Sequence, residues 1–282
     1  MKLRRFSSCT LIAVVSWVAI WVFSVETPQA APSATNQIEA KSAHSEVIAV
    51  NTNLSKETRF KLLTDRMGEL KGNSARNWDE YEQAARELIR EFPDRSDGYQ
   101  DLMVMIQYGK RDKAQVLAKE MADSSAPERF KCWAKGFLYR KKSFGRPVTM
   151  QFVAVDGREV NLAKMQGKVV LIDFWGIHCG PCVAALPEIK TAYDKYHPRG
   201  FEVIGISFND DKSGVTRFIK EKELPWPQYS DGELGGENKF AQEFGIAAIP
   251  HTLLLDKKGC LRVDNLGVDS LEVWIAKLLS EP

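Results

Sequence analysis

One stretch limits what this chain can fold into more than any other: Lys168-Val169-Val170-Leu171-Ile172-Asp173-Phe174-Trp175-Gly176-Ile177-His178-Cys179-Gly180-Pro181-Cys182. Its first half is an apolar run rich in β-branched residues, too short for a typical helix, and reads as a buried strand. Beyond Cys182, the residues Val183, Leu186, Ile189, Tyr193 and Tyr196 recur at helical spacing. Strand, Cys-x-x-Cys and helix in that order turn a common four-residue pattern into a specific redox expectation. Cys179 falls where unpaired backbone N–H groups and the positive end of the helix dipole favour a thiolate. Cys182 lies one turn in, placed to attack a mixed disulfide formed on Cys179.

The rest of the composition narrows the alternatives. A chain of 282 residues allows one large or two modest domains. Its formal charge of +2, with 27% charged residues and no basic stripe interleaved with aromatics, gives no support for nucleic-acid binding. The five cysteines, at positions 9, 132, 179, 182 and 260, are too few for a disulfide-stapled scaffold. A Cys-x-x-Cys is also half of a structural zinc site, but that needs a second such pair or paired histidines. His44, His178, His197 and His251 are scattered, so no metal is expected.

At the amino terminus, Lys2, Arg4 and Arg5 precede an uncharged run from Phe6 to Val25. A basic start and an apolar core mark an export signal, and the run, at about 20 residues, is also long enough to span a bilayer. The region Thr27 to Ala34 has small residues but no clean Ala-x-Ala, so a cleaved signal and a retained anchor over residues 1–34 both stand. In either case the flanking positive charge directs the rest of the chain across the membrane. Cys9 reads as part of the apolar segment. Residues 35–53, rich in Ala, Ser, Thr and Asn, read as a flexible linker.

Residues 54–145 carry only helical periodicity. Phe60, Leu63, Met67 and Leu70 mark a first helix, and Tyr81 to Phe92 a second that Pro93 stops. Tyr99, Leu102, Met103 and Ile106 mark a third, and Val116, Leu117 and Met121 a short fourth. Phe130, Trp133, Phe137 and Leu138 mark a fifth, running into Arg140, Lys141 and Lys142, which read as a solvated helix end suited to the dipole. Pro93 and Pro127, Tyr99 and Trp133, and Met103 and Phe137 each lie 34 positions apart. That is a period of stacked helical-pair repeats, so a repeat-like array and an irregular bundle are both open. The module reads as a spacer or a docking element for a protein partner, with Cys132 a buried small residue.

From 146 to 282 strands enter. Val148 to Val153, Asp156-Gly157 and Val160 to Leu162 read as a hairpin. After the central strand and the Cys-Gly-Pro-Cys helix come a strand over Phe201 to Phe208 and a helix around Val215, Phe218 and Ile219. Pro225-Trp226-Pro227 forces an irregular connection, and a short helix around Phe240 and Phe244 closes at Gly245. A strand over Ile249 to Asp256, a turn, a strand over Cys260 to Val263 and a last helix from Leu271 complete the chain. Alternation followed by a terminal hairpin and helix predicts an α/β fold, a mixed sheet with helices on both faces, preceded by an all-α module.

In that order and in four local features the carboxy-terminal half, roughly 146 to 280, resembles the thioredoxin fold. Asp173, six positions before Cys179, matches the family's buried carboxylate; Trp175 matches its flanking tryptophan; Pro187, its helix-kinking proline; Ile249-Pro250, its cis-proline loop. The added hairpin, the export signal and the run Lys195 to Phe201 are similar to exported TlpA/ResA-type thiol–disulfide oxidoreductases, a branch near the alkyl-hydroperoxide-reductase/thiol-antioxidant redoxins. The resemblance implies that Cys179 and Cys182 exchange with protein disulfides and that Asp173 takes the proton of Cys182. It implies that Trp175, Ile249 and Pro250 border the substrate, and that no cofactor is used beyond the cysteine pair itself.

Gly180 and Pro181 between the cysteines resemble reducing thioredoxins more than oxidases, which implies a reductant fed by a membrane thiol donor. Such a protein works in the periplasm or tethered to the outer face of the cytoplasmic membrane, with residues 6–25 as the tether. His178 replaces the usual tryptophan before the first cysteine, either favouring the Cys179 thiolate or standing as an exposed polar neighbour. His251 follows the proline where threonine is common, which implies altered contacts of the substrate loop. Other readings remain: an oxidase or isomerase using the same residues, a thiol peroxidase, or a scaffold acting through the helical module. Cys132 and Cys260 are expected to be free and buried.

Overall fold

The computed structural model describes residues 54–72, 77–208, 211–232 and 238–282. The export signal or anchor expected over 1–34 and the linker expected over 35–53 lie outside the described residues. Among the described residues no helix is long and apolar enough to cross a membrane.

Five helices come first: α1 (Lys56–Gly72), α2 (Trp78–Glu91), α3 (Asp97–Tyr108), α4 (Arg111–Asp123) and α5 (Glu128–Lys142). Each packs on its neighbour in the chain. Asn77 starts α2 by accepting the N–H groups of Asp79 and Glu80 on its side chain, satisfying donors the first turn leaves unpaired. The periodic residues named from sequence form one core: Met67, Tyr81, Leu102, Ile106, Leu117, Met121, Phe130, Trp133 and Phe137 are all buried. Val116, by contrast, is 57% exposed. The buried face of α4 is instead Ala114, Leu117, Ala118 and Met121, a stripe on which Val116 does not fall.

A hairpin, β1 (Gln151–Val153) and β2 (Glu159–Asn161), is followed by β3 (Val169–Trp175), α6 (Gly180–Tyr196), β4 (Phe201–Ser207) and α7 (Lys212–Lys222). Then come β5 (Gln228–Tyr229), α8 (Lys239–Glu243), β6 (His251–Leu255), β7 (Leu261–Asp264) and α9 (Leu271–Ser280). The main sheet runs in the order β5-β4-β3-β6-β7. Its β5, β4 and β3 are parallel, and β6 and β7 are antiparallel to their neighbours. Strand β5 stands where the sequence gives only an irregular Pro-Trp-Pro connection: two residues carry too little periodicity to register.

The two faces of β3 sort by alternation. Val170, Ile172 and Phe174 enter a core with the hairpin and with Phe240 and Phe244 of the α8 region. Val169 and Leu171 enter another, with Leu186 and Ile189 of α6 and Ile275 and Leu278 of α9. Helices therefore cover both faces of a mixed sheet, and β3, flanked on both sides, is buried along its whole length.

The helical module is joined to the sheet domain through α5. Gly136 lies against the end of α8, where a Cβ would stand 2.0 Å from the Gln242 carbonyl oxygen. Gly245, at φ +59°, would place a Cβ 2.1 Å from the backbone nitrogen of Phe137. The two backbones approach closely because neither position has a side chain. Arg140, read from sequence as part of a solvated helix end, is instead 2% exposed. Its Nη1 donates to the carbonyls of Phe244 (2.7 Å) and Gly245 (2.9 Å), and its Nε lies 3.4 Å from Asp264. Only Lys141 and Lys142 of that cluster are exposed. Arg140 follows Trp133 and Phe137 by seven and three positions, which puts it on their buried stripe.

Candidate active site

Strand β3 delivers the chain to the site and α6 begins there. Cys179 is the N-cap of α6, and its Sγ accepts the backbone N–H of Cys182 at 3.2 Å. Pro181, among the first α6 residues, sits where an N–H is not needed. The two cysteines form a disulfide, with Cα atoms 5.2 Å apart. They differ in exposure: Cys179 is half-buried, whereas Cys182 is 3% exposed. Access selects Cys179 as the sulfur an incoming group meets, and Cys182 as the one shielded behind it.

Behind the disulfide lies a small cluster in which Trp175, Cys182 and Val215 are buried, with Ile177, Cys179, Phe218, Ile219 and Ile249 packed against them. The indole of Trp175 rests against Phe218 at 5.3 Å, and its Nε1–H donates to Gln228 Oε1 at 2.8 Å. Trp175 is 1% exposed. The expectation that it borders the substrate therefore needs correcting: it backs the disulfide and offers no face to solvent. Gln228, buried on β5, is a supporting residue that sequence reasoning missed; a lone glutamine after Pro-Trp-Pro carries no pattern.

Asp173 lies two residues from both Leu171 and Trp175, and so on the face of the sheet that α6 covers. It is buried at 4% exposed, opposite Gly205 and Thr252 in the neighbouring strands. Burial alone pushes its carboxyl up to about 7, because the charged form loses its hydration. A carboxyl poised near neutrality on the Cys182 side of the strand is suited to exchange a proton with a thiol.

The Ile249–Pro250 peptide is cis. Ile249 packs toward the disulfide cluster while Pro250 is exposed. His178, Gly180 and Pro181 are exposed around Cys179, and Pro187 is exposed within α6, a turn beyond Cys182 and outside the cluster. His178 stands as an exposed neighbour of Cys179.

His251, directly after the loop, turns inward. It is 4% exposed, and its Nε2 lies 2.8 Å from Asp264 Oδ1. Burial lowers its pKa, the Arg140 and Lys141 cations adding to the effect and Asp264 opposing it. Burial would raise the Asp264 carboxyl, but the His251 hydrogen bond and the charges of Arg140 and Lys141 outweigh it and hold that carboxyl far below its usual range. A neutral His251 thus donates from Nε2 to an ionised Asp264. The chain Arg140–Asp264–His251 connects α5 to the residue after Pro250. Its signal in the sequence was the place of Arg140 on the apolar stripe.

Cys132 and Cys260 are free. Both are partly exposed, not buried as their residue type suggests; Cys132 Sγ lies 3.6 Å from Glu128 Oε1 at the start of α5. Among the described residues no group of three or more His, Cys, Asp or Glu stands in a position to hold a metal ion.

A disulfide at a helix start, one sulfur half-exposed and its partner shielded, with a buried carboxyl in the strand that leads to it, defines a thiol–disulfide oxidoreductase on a thioredoxin-like sheet. The family model described as Redoxin matches residues 140–277. Thiol-disulfide oxidoreductase ResA of Bacillus thuringiensis subsp. konkukian (strain 97-27) is 31% identical over 159 residues, covering 52% of this chain and 90% of the relative. ResA of Bacillus cereus (strain ATCC 10987 / NRS 248) is 33% identical over 157 residues, 51% of this chain and 88% of the relative. Among solved structures, a thioredoxin-family thiol:disulfide interchange protein from Chlorobium tepidum TLS aligns at 21% identity and a TM-score of 0.42, over 48% of this chain and 95% of that one. The chain belongs to the TlpA/ResA-type thiol–disulfide oxidoreductases.

Proposed function

We propose that this oxidoreductase works outside the cytoplasm as a reductant of protein disulfides, with Cys179 as the attacking and Cys182 as the resolving thiol. The observation that carries the assignment of roles is the difference in exposure across one disulfide, with the accessible sulfur on the helix N-cap. In the reduced protein the Cys179 thiolate attacks a substrate disulfide; a bond from Cys179 Sγ to one substrate sulfur forms, and the other leaves as a thiolate. The Pro250 edge holds the substrate backbone meanwhile. Asp173 accepts the Cys182 proton, the Cys182 thiolate attacks Cys179 Sγ, and the second substrate sulfur leaves. Two electrons have passed to the substrate and the chain ends as the Cys179–Cys182 disulfide. A dithiol donor at the membrane restores it. No cofactor beyond the cysteine pair enters the scheme.

Two features favour reduction over oxidation. Gly180-Pro181 is the dipeptide of reducing thioredoxins, and His178 is exposed, where solvent screens any attraction to the Cys179 thiolate. Export rests on Lys2, Arg4 and Arg5 before the apolar run from Phe6 to Val25. Both can be tested together by alkylating thiols in intact cells with a reagent confined to the outside, using Cys179→Ser to mark the bands that belong to the pair. The expected result is a pair labelled from outside as free thiols. A pair protected from the reagent until lysis would contradict export, and a pair held outside as the disulfide would contradict a reductant.

A further inference from the structure

Beside the site, a cleft of about 350 Å³ separates the helical module from the sheet domain. Met103 and Val104 of α3 and Phe130 and Trp133 of α5 form one wall; Phe208 and the segment Ile246 to Ala248 form the other. The walls are mainly apolar, so an apolar side chain readily replaces water there, and a cleft of this size admits a large one.

The position of the cleft says where that side chain comes from. Ala247 and Ala248 run without a break into Ile249 and the exposed Pro250 beside the disulfide. On the other flank, the Phe208 N–H donates to the carbonyl of Trp175 at 2.7 Å, at the end of the strand that delivers the cysteines. The cleft therefore opens at the same end of the sheet as Cys179. We infer that it is a substrate subsite: it takes a large apolar side chain of the substrate polypeptide a few residues from the reacting cysteine. The helical module thereby selects substrates for the redox site, by extension of an extended strand lying along the Pro250 edge. This inference rests on the reductant reading above.

The test uses the full chain and a set of short peptides, each with one cysteine joined as a disulfide to a small thiol. Leu is stepped through positions on either side of the cysteine, with Ser at all of them in the reference peptide. One Leu position is expected to raise kcat/KM by about tenfold, chiefly through KM, equivalent to about 1.4 kcal/mol. In Val104→Glu, and separately in Met103→Glu, both at partly exposed sites on the cleft wall, that gain should fall below about twofold. Using both guards against a single variant that only disturbs α3. A gain that survives in both variants, or a lack of preference for any Leu position, would overturn the inference while leaving the redox reading intact. So would self-association through the cleft, seen as a sedimentation mass that halves in Val104→Glu. Failure to reduce any of the peptides would remove the reductant reading, and this inference with it.

Discussion

Cys179→Ser is expected to lose turnover of disulfide substrates by at least about a thousandfold, because the attacking sulfur is gone and the buried Cys182 behind it is shielded from substrate. Among the described residues the free cysteines, Cys132 and Cys260, lie outside the disulfide cluster. Cys182→Ser should fail differently. Cys179 still reaches the substrate, but nothing behind it can release the mixed disulfide, so a covalent adduct should accumulate one for one with protein. Mass spectrometry after a brief exposure to substrate reads both results. An adduct on Cys182 in the Cys179→Ser chain, matching the one on Cys179, would mean that the half-exposed and buried sulfurs are interchangeable and that burial does not assign their roles.

Asp173→Asn should move stability and activity in opposite directions. In the folded chain burial holds the Asp173 carboxyl up at about 7, whereas in the unfolded chain it titrates near about 3.9. Between those values the folded state binds the extra proton, so stability falls as pH rises and the full penalty stands only above about pH 7. Roughly three pH units correspond to about 4 kcal/mol, an upper figure for a group that local opening can hydrate. Urea midpoints of the oxidised wild-type chain should therefore decline from pH 5 to 8, and those of Asp173→Asn should decline less. The variant should be the more stable by about 2–4 kcal/mol at pH 8. Its resolving step should slow by about a hundredfold at neutral pH, since an amide cannot take the Cys182 proton. Parallel stability profiles for the two proteins would show that Asp173 is not the buried acid described here.

Much of this was legible in the sequence, for reasons that particular residues make plain. The run Val169 to Trp175 is buried on both faces, so it lacks alternation and announces itself by composition; the Cys-Gly-Pro-Cys that follows needs only local spacing. Asp173 stood out because a carboxylate in such a run is costly without a task. Long-range placement was harder. Arg140 looked like a solvated helix end because its partners, the carbonyls of Phe244 and Gly245 and the side chain of Asp264, lie more than a hundred residues away. Its burial follows from the stripe it shares with Trp133 and Phe137, a cue that its charge obscured. Trp175 looked like a substrate contact because the resemblance supplied its neighbourhood but not the depth at which it packs. Strand β5 and the role of Gln228 could not be read at all, since two residues paired to β4 leave no period. The cleft along α3 and α5 is assembled by the close approach at Gly136 and Gly245, which depends on what each glycine meets across the interface.

The measurement that tests the central claim most directly is the reduction potential of the Cys179–Cys182 pair, equilibrated against thiol buffers of known potential and read by alkylation and mass. A dedicated reductant should lie near thioredoxin, at about −270 mV. A value near the strong oxidase DsbA, at about −120 mV, would mean that this site stabilises its dithiol form, and the chain would then oxidise its substrates instead of reducing them.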